Sequence, residues 1–375
     1  MTLREVLQKG DFLLAGSAFL LTVLSLVLLN IGGNNLSFFF RQLFFACIAI
    51  PVFLLVSKTH YSLAKSYTPF LFVVLLLLLL FVLQGRVIRG AASWFVLGTL
   101  HLQPGEIAKV ILVLVLAKVF SDRNKGKMEW KTLLLTIFYV GIPISLILLQ
   151  PDFGTAMLII LIWFGMIIAA GLTGKQFGAL FLLAIVLGIA SWLFFLKDYQ
   201  KQRILIFMNP GADPLGSGYT VNQSITAFGS GGIWGRGLGY GPQSRLNFLP
   251  EHRTDFIFAR IGEELGFVGV ISVFSLYGVM LWRMLYAAQK TSDSFGRAIA
   301  IGAFVALLTG VFVNAGMNLG LLPVTGVPLP FISYGGSSML TMYLLVGLVE
   351  SVLIHGETWE SDDTDGITAQ EIGEI

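Results

Sequence analysis

Charged residues are scarce in this sequence. Asp, Glu, Lys and Arg make up 12% of the chain, whereas hydrophobic residues make up 56% and the mean hydropathy is +0.83. A soluble globular domain carries about 25% charged residues, so the composition excludes an ordinary soluble protein. The apolar residues are concentrated in runs long enough to cross a lipid bilayer. The composition therefore predicts a polytopic membrane protein.

Residues that form disulfides and metal sites are also few. The only cysteine, Cys47, excludes an intramolecular disulfide and a cysteine-based zinc site. The four histidines lie far apart and have none of the HxxxH or HExxH spacings of a zinc site. The sequence contains no GxxxxGK[ST] loop and no basic run with interleaved aromatic residues. We therefore expect no nucleotide, haem or flavin cofactor and no nucleic-acid partner.

Ten apolar runs have the length of a transmembrane helix, roughly 17–25 residues. They do not alternate between apolar and polar residues as barrel strands do, so the predicted fold class is all-α. The first run is longer than a signal-peptide core and is predicted to remain in the mature protein. The predicted spans are 12–30, 38–56, 68–84, 104–120, 132–149, 152–170, 177–196, 266–289, 297–319 and 334–354.

The basic residues predict the orientation in the membrane. Lys and Arg in the short loops after spans two, four, six and eight fall on one side, which the positive-inside rule assigns to the cytoplasm. Arg86 and Arg89 fall on the other side and weaken the pattern locally. With ten spans, both termini are cytoplasmic, and a large polar loop over 197–264, between spans seven and eight, lies outside. The predicted domains are a membrane domain over 1–356 and a disordered acidic tail over 357–375, which is either solvated or binds a partner.

Two acidic residues stand at predicted helix starts on the outer side. Glu106 follows Pro104, and Asp152 follows Pro151. Proline suits the first turn of a helix and an acid there complements the helix dipole, which gives a purely structural interpretation. Glu106 and Lys109 are three residues apart and can pair on one helix face. Alternatively, both helix starts line an outward polar cavity, where the helix dipoles favour an anionic ligand.

The outer loop ends in a stretch with a candidate catalytic base. Glycines over 211–241 predict turns and close backbone approach instead of a packed domain. Apolar residues then follow Asp255 and indicate that the chain returns towards the membrane, with Asp255 near the lipid head groups. A partly desolvated carboxylate in that position is a candidate general base. The alternative is an ordinary surface pair between Asp255 and Arg253.

Prolines interrupt the region between spans nine and ten, at Pro323, Pro328 and Pro330. Irregular backbone at membrane depth is tolerated only where it lines protein or a watery cavity. This region is therefore predicted to form a second wall of the site. Asn314 and Asn318, four residues apart in span nine, act either as interhelical contacts or as cavity-lining groups.

Several motifs occur in one order over most of the chain. They are Gln103-Pro104-x-Glu106-x-x-Lys109, Gln150-Pro151-Asp152-x-Gly154-Thr155, Tyr199-Gln200-x-x-Arg203-Ile204, Pro250-Glu251-x-x-Thr254-Asp255-Phe256, Glu263-Glu264-x-Gly266 and Pro330-Phe331-x-Ser333-Tyr334-Gly335-Gly336-Ser337. Together they resemble the SEDS family (shape, elongation, division and sporulation). The residues that lead to Pro250 are similar to those of the branch that serves cell elongation and rod shape.

The resemblance implies a peptidoglycan glycosyltransferase that polymerises lipid II into glycan on the outer face of the bacterial cytoplasmic membrane. It implies Asp255 as the catalytic residue, a class B penicillin-binding protein as transpeptidase partner, and a divalent cation, Mg²⁺ or Mn²⁺. The chain departs from the family at Gly105, where serine is usual, and at Ser93, where arginine is common. Motifs and resemblance together give the predicted substrate-binding residues Glu106, Lys109, Asp152, Arg203, Arg245, Glu251, Thr254 and Ser337, with Asp152 and Glu106 as candidate metal ligands.

Two other functions fit parts of the sequence. A flippase or another transporter of a lipid-linked precursor also uses broken helices and buried ions, but its key ions lie near the membrane midplane. A non-catalytic scaffold for a transpeptidase would leave Asp255 freely replaceable. The Asp and Glu motifs cluster at one membrane face instead. We therefore expect inverting glycosyl transfer, with Asp255 as general base and a lipid diphosphate as leaving group.

Cysteine labelling tests the predicted orientation. Cysteines placed at Ser217 and Ser244, in the outer loop, should react with impermeant maleimide in intact spheroplasts. A cysteine placed at Asn124 should not react, because the loop after span four is predicted to be cytoplasmic. The reverse labelling pattern would overturn the topology.

Overall fold

The computed structural model describes residues 10–31, 36–84, 93–97, 100–123, 126–195, 198–208 and 217–356. Over these residues the chain is almost entirely helical, which confirms the predicted all-α membrane fold. The predicted tail over 357–375 lies outside the described residues. The helices are α1 (Phe12–Ile31), α2 (Ser37–Lys58), α3 (Ser62–Val82), α4 (Pro104–Arg123), α5 (Trp130–Leu149), α6 (Phe153–Ala169), α7 (Gly174–Ala190), α8 (Asp198–Met208), α9 (Ser217–Ser230), α10 (Pro242–Arg245), α11 (Ile257–Lys290), α12 (Ser294–Asn318) and α13 (Gly336–His355). A two-stranded antiparallel hairpin, β1 (Phe95–Leu97) and β2 (Leu100–Leu102), precedes α4.

Within the described part of the chain, 8 helices are long and apolar enough to cross a membrane. Two further helices occupy predicted spans but differ from these in length or charge. The apolar helix α6 has 17 residues, and α4 carries both acidic and basic side chains. The predicted total of ten spans stays a prediction.

α4, α12 and α13 form the interior of the bundle. In α13, 78% of the residues in the most apolar stretch are buried, and in α12 the share is 67%. In α7, taken together with the π-helical turn that follows it, the share is 0%. Glycines permit this packing, since a Cβ on Gly165 would lie 2.5 Å from Val305 and one on Gly302 would lie 2.5 Å from Val113. Close approach of this kind drives helix association in lipid, where burial of apolar surface adds little.

The outer loop is more structured than its glycine content predicted. Residues 217–230 form the helix α9, which packs against α11 and α12. Among the described residues of this stretch, the expectation of turns holds for the segment 231–239, which we call the glycine strap. Gly232, Gly235, Gly237 and Gly239 have positive φ there. The prediction failed over α9 because packing against neighbouring helices overrides weak local helix propensity.

The glycine strap binds a break in α11. Gly266, the predicted start of span eight, has φ 67° and ψ −165° and divides α11 into two helical halves. Residues on either side of the break exchange backbone hydrogen bonds with the strap instead of with the next helical turn. These bonds join Arg236 N to Glu263 O, Gly237 N to Glu264 O, Phe267 N to Gly232 O and Val268 N to Ile233 O, at 2.9, 3.0, 2.9 and 3.1 Å.

Alanine substitution of Gly266 tests the importance of this break. Ala at positive φ costs about 1–2 kcal/mol, and its Cβ would overlap the backbone of Gly235. We expect the Gly266→Ala variant to have a clearly lower melting temperature than the wild type when both are measured in detergent. The matched control is Gly278→Ala in the same helix, where a Cβ meets no atom within 4 Å and no loss is expected. Equal melting temperatures for the two variants would contradict a role for the break.

Candidate functional site

Four helices, α4, α6, α11 and α13, begin around the predicted site residues. Gln103, just before α4, donates from Nε2 to Asp152 Oδ2 at 2.6 Å and from its backbone N to Ser337 Oγ at 3.0 Å. These bonds join the starts of three helices, although Gln103 and Ser337 are 234 residues apart in sequence. A Cβ on Gly154 would lie 2.5 Å from the carbonyl oxygen of Thr325. The start of α6 therefore also touches the segment between α12 and α13.

Asp255 lies beside this junction, two residues before α11. Its side chain is partly buried, and a Cβ on Gly326 would lie 3.5 Å from its Oδ2. Gly326 follows Thr325 directly, so the carboxylate adjoins the segment that α6 contacts. Phe256, Ile257 and Phe258 are buried. Their burial confirms that the chain turns back towards the bundle immediately after Asp255.

Glu106 and Lys109 form a buried ion pair in the first turns of α4. Lys109 Nζ lies 2.7 Å from Glu106 Oε2, and the two side chains are 2% and 4% exposed, respectively. The predicted pairing three residues apart is confirmed. Removing both charges from water is costly unless they are paired. Because both side chains are buried, the pair is not simply an exposed charge that complements the helix dipole.

Asp152 is the N-terminal cap of α6, as its position after Pro151 predicted. Its Oδ1 accepts a hydrogen bond from the backbone N of Thr155 at 3.1 Å, and its Oδ2 accepts one from Thr155 Oγ1 at 2.9 Å. The bond from Gln103 also ends on Oδ2. These donors fix the carboxylate at the junction of α4 and α6.

These contacts decide how well the predicted metal ligands fit. Asp152 accepts three side-chain and backbone donors, and Glu106 is paired with the ammonium of Lys109. Among the described residues, no three His, Cys, Asp or Glu side chains group closely enough to hold a metal ion. Asp152 and Glu106 in this arrangement therefore do not fit a metal centre. The expected divalent cation stays a prediction.

The two basic residues before Thr254 differ in charge state. Burial, and to a lesser degree the charge of Arg260, lower the pKa of Arg253, whose guanidinium lies 4.8 Å from the centre of the Phe38 ring. Burial lowers the pKa of His252 to about 4, although a 3.0 Å hydrogen bond from its Nδ1 to the Leu249 carbonyl opposes the shift. His252 is therefore neutral at physiological pH and can supply neither charge nor a proton there. Arg253 remains a cation two residues from Asp255.

The remaining predicted substrate-binding residues are Glu251, Thr254, Arg245 and Arg203. Glu251 is exposed and accepts a hydrogen bond from Thr254 Oγ1 at 2.8 Å. Arg245 is exposed on α10, and the side chain of Arg203 lies outside the described residues. Ser244 is buried and donates to Glu263, so the exposed Arg245 is a better labelling position for the topology test.

A buried ionic group beneath the loop was missed by sequence reasoning. Arg260 Nε lies 2.7 Å from Glu264 Oε1, and these side chains are 0% and 2% exposed. Glu264 Oε2 also accepts from Gly239 N at 3.1 Å, and Glu263 accepts from Ser244 Oγ at 2.6 Å. The spacing of Arg260 and Glu264 permits pairing on a helix and was the available signal. Through these bonds, the first half of α11 is fixed to the glycine strap and α10.

The electrostatics of the junction favour an anionic ligand. The starts of α4, α6, α11 and α13 carry the positive ends of their helix dipoles, which favour negative charge. Arg253 adds a formal positive charge, and Lys109 adds one that Glu106 balances. Asp255 supplies a carboxylate at the edge of the same junction. The arrangement therefore combines a place for an anionic group with a candidate base beside it.

Charge-removal variants separate the structural and functional roles of the buried pair. Removing one partner of a buried ion pair destabilises a protein by about 3–5 kcal/mol, whereas replacing both by neutral groups is often close to neutral. We expect Glu106→Gln and Lys109→Met each to lower the melting temperature, and the double variant to recover much of it. If the pair binds substrate, the double variant stays inactive in glycan synthesis. Recovery of both stability and activity would reduce the pair to a structural role.

Comparisons with known proteins identify the family of this chain. A profile of the FtsW/RodA/SpoVE family, described as a cell cycle protein, matches residues 9–358. The chain is 35% identical to the peptidoglycan glycosyltransferase MrdB of Escherichia coli strain K12 over 337 residues, which is 90% of this chain and 91% of that protein. It is 37% identical over 324 residues to the stage V sporulation protein E of Bacillus subtilis strain 168, covering 84% and 87% of the two chains.

Solved structures show the same fold. One is a chain from a peptidoglycan synthase complex studied for how it coordinates polymerization and crosslinking, with a TM-score of 0.81, 32% identity, and coverage of 92% of this chain and 97% of that chain. The rod shape determining protein RodA of Thermus thermophilus gives a TM-score of 0.69 at 28% identity, covering 92% of this chain and 96% of that chain. The chain belongs to the FtsW/RodA/SpoVE family, the same SEDS family that its motifs resemble.

Proposed function

We propose that this protein polymerises lipid II into glycan strands, with Asp255 as the general base. The chain is a membrane-embedded peptidoglycan glycosyltransferase of the family that includes MrdB and FtsW proteins. The observation that supports the mechanism is the position of Asp255. Its partly buried carboxylate adjoins Gly326, at the edge of a junction of four helix starts that favours an anionic group.

The reaction is a single displacement at the anomeric carbon of the donor sugar. Asp255 accepts the proton of the acceptor sugar hydroxyl as that oxygen bonds to the anomeric carbon. The bond from this carbon to the diphosphate oxygen breaks, and the undecaprenyl diphosphate leaves with the electron pair. Attack opposite the leaving group inverts the anomeric configuration, so no covalent glycosyl-enzyme is needed.

The leaving diphosphate develops negative charge that fixed positive groups stabilise. The helix starts at the junction, Lys109 and Arg253 serve this purpose among the described residues. Glu106 holds the side-chain nitrogen of Lys109 in place at the start of α4. Arg203 and Arg245, on the outer loop, are candidates to contact the substrate beyond the diphosphate.

A lipid-linked precursor flippase is the competing function. Its coupling or substrate ions belong near the membrane midplane, between broken helices. In the described part of the chain, the buried pairs Glu106–Lys109 and Arg260–Glu264 lie in the first turns of their helices. Asp11 and Arg283 form a third pair, next to the start of α1. Ionic groups at helix ends favour chemistry at a membrane face over transport.

The synthase acts with a crosslinking partner, as the similar chain in the peptidoglycan synthase complex does. The partner is a class B penicillin-binding protein, whose transpeptidase domain crosslinks the new glycan. Both partners are in the bacterial cytoplasmic membrane. We further propose that both termini are cytoplasmic and that the junction of helix starts faces outwards. The distribution of basic residues in the short loops supports this orientation.

Replacing the carboxylate of Asp255 tests the mechanism. Asp255→Asn keeps the side-chain shape but cannot accept the hydroxyl proton, so polymerisation of purified lipid II should fall by a factor of roughly 10²–10⁴. The melting temperature should stay close to that of the wild type. Asp122→Asn is the matched control, because the same replacement there removes a carboxylate that is 46% exposed and lies at the end of α4 far from Glu106. Normal glycan synthesis by a well-folded Asp255→Asn protein would remove Asp255 from the mechanism.

A further inference from the structure

Two buried asparagines in α12 contact the backbone of Asp255. Asn314 Nδ2 and Asn318 Nδ2 each lie 2.9 Å from the carbonyl oxygen of Asp255. Both asparagines are fully buried, with 0% exposure, so they do not line a cavity. Of the two sequence-based alternatives for this pair, the structure supports a contact between segments.

The hydrogen-bond donors of these two amides are fully used. Asn314 Nδ2 gives its second hydrogen to Val327 O at 2.7 Å, and Asn318 Nδ2 also donates to Asn314 O at 2.9 Å. Asn318 Oδ1 accepts from Ala259 N at 3.0 Å, which fixes the orientation of that amide. Each amide nitrogen carries two hydrogens and a carbonyl oxygen has two lone pairs. The Asp255 carbonyl is therefore saturated by two donors on one helix.

The neighbouring carbonyls of the loop are held in the same manner. Tyr334 N donates to Arg253 O at 2.9 Å, and Ser333 Oγ donates to Thr254 O at 2.6 Å. Three consecutive carbonyls, from Arg253 to Asp255, thus accept donors from α12 and from the segment before α13. The backbone of the loop faces the bundle, and its position is set by donors that belong to other elements.

We propose that Asn314 and Asn318 are positioning residues for Asp255. By holding its carbonyl, they set the place from which the carboxylate reaches the acceptor hydroxyl. Asn314 also binds the carbonyl of Val327, next to Gly326, whose Cα adjoins the Asp255 carboxylate. One side chain thus fixes the distance between the base and the opposite wall of the site. The inference rests on the proposed role of Asp255 as the base.

The physical reason for such a device is the sensitivity of proton transfer to distance. A misplacement of about 1 Å can lower the rate about 10²-fold. The loop that carries Asp255 has no regular helical backbone, whereas α12 is packed inside the bundle. Catalytic groups act with highest precision when supporting hydrogen bonds hold them to rigid elements. Asn314 and Asn318 attach the loop to α12 through the carbonyl of Asp255.

The test compares Asn314→Leu, Asn318→Leu and the milder Asn318→Ser in the full-length protein with its transpeptidase partner. Steady-state polymerisation of purified lipid II gives kcat and KM, and thermal unfolding gives stability. We expect kcat to fall about 10–10²-fold in the leucine variants, with KM close to wild type. The double leucine variant should lose less than the product of the two single effects, because both residues act on one carbonyl.

Gln176→Leu is the matched control for lost stability. Gln176 is also a buried amide, 1% exposed, and its Nε2 donates to a backbone carbonyl, Met128 O, at 2.8 Å. It lies in α7, outside the junction, so its loss should lower the melting temperature and leave kcat unchanged. The variants are compared at an equal decrease in melting temperature. A positioning role predicts that the Asn314 and Asn318 variants then lose much more kcat than Gln176→Leu does.

The outcomes separate this inference from the proposed function. If Asp255→Asn is inactive but the asparagine variants behave like Gln176→Leu, the positioning role is wrong and the base assignment stands. If an asparagine variant raises KM and leaves kcat unchanged, the residue affects binding and the inference also fails. If Asp255→Asn is active, both the base assignment and the positioning role are lost. If the leucine variants do not fold, Asn318→Ser decides by the same comparison.

Discussion

Backbone groups at membrane depth must find hydrogen-bond partners within the protein, since lipid offers none. The segment between α12 and α13 is not helical and therefore cannot meet this requirement by itself. Side chains from four helices meet it instead. The hydrogen bonds run from Ser25 Oγ to Ile332 O at 2.6 Å, from Gln42 Nε2 to Ser333 O at 3.2 Å, from Tyr277 Oη to Pro330 O at 2.5 Å and from Asn314 Nδ2 to Val327 O at 2.7 Å.

The site depends on this irregular segment being held in one conformation. Its end donates from Ser333 and Tyr334 to the carbonyls of the Asp255 loop. Its middle touches the start of α6 at Gly154 and the carboxylate of Asp255 at Gly326. A helix in its place would satisfy its own backbone but could not contact both. The broken backbone is thus what allows the base and the anion-favouring helix starts to share one face of the bundle.

Local spacing predicted part of this site and could not predict the rest. The Glu106–Lys109 pair and the Asp152 cap depend on neighbours three residues away, so the sequence contained their partners. The bond from Gln103 to Ser337 spans 234 residues and depends on how the helices assemble. The burial of Arg260 and Glu264 escaped prediction because charged side chains are rarely fully buried and both residues were assigned to the polar loop over 197–264. The helix α9 escaped it because packing, which the sequence does not display, outweighs its glycines.

The close contact between α4 and α6 limits which residues these helices can carry together. A Cβ on Gly105 would lie 2.9 Å from the methyl carbon of Thr155. A side chain at position 105, such as the serine that the family resemblance leads one to expect, therefore competes with Thr155 for the same volume. A serine introduced at position 105 of this chain would therefore have to be accommodated by a shift of Thr155, whose hydroxyl donates to the Asp152 cap.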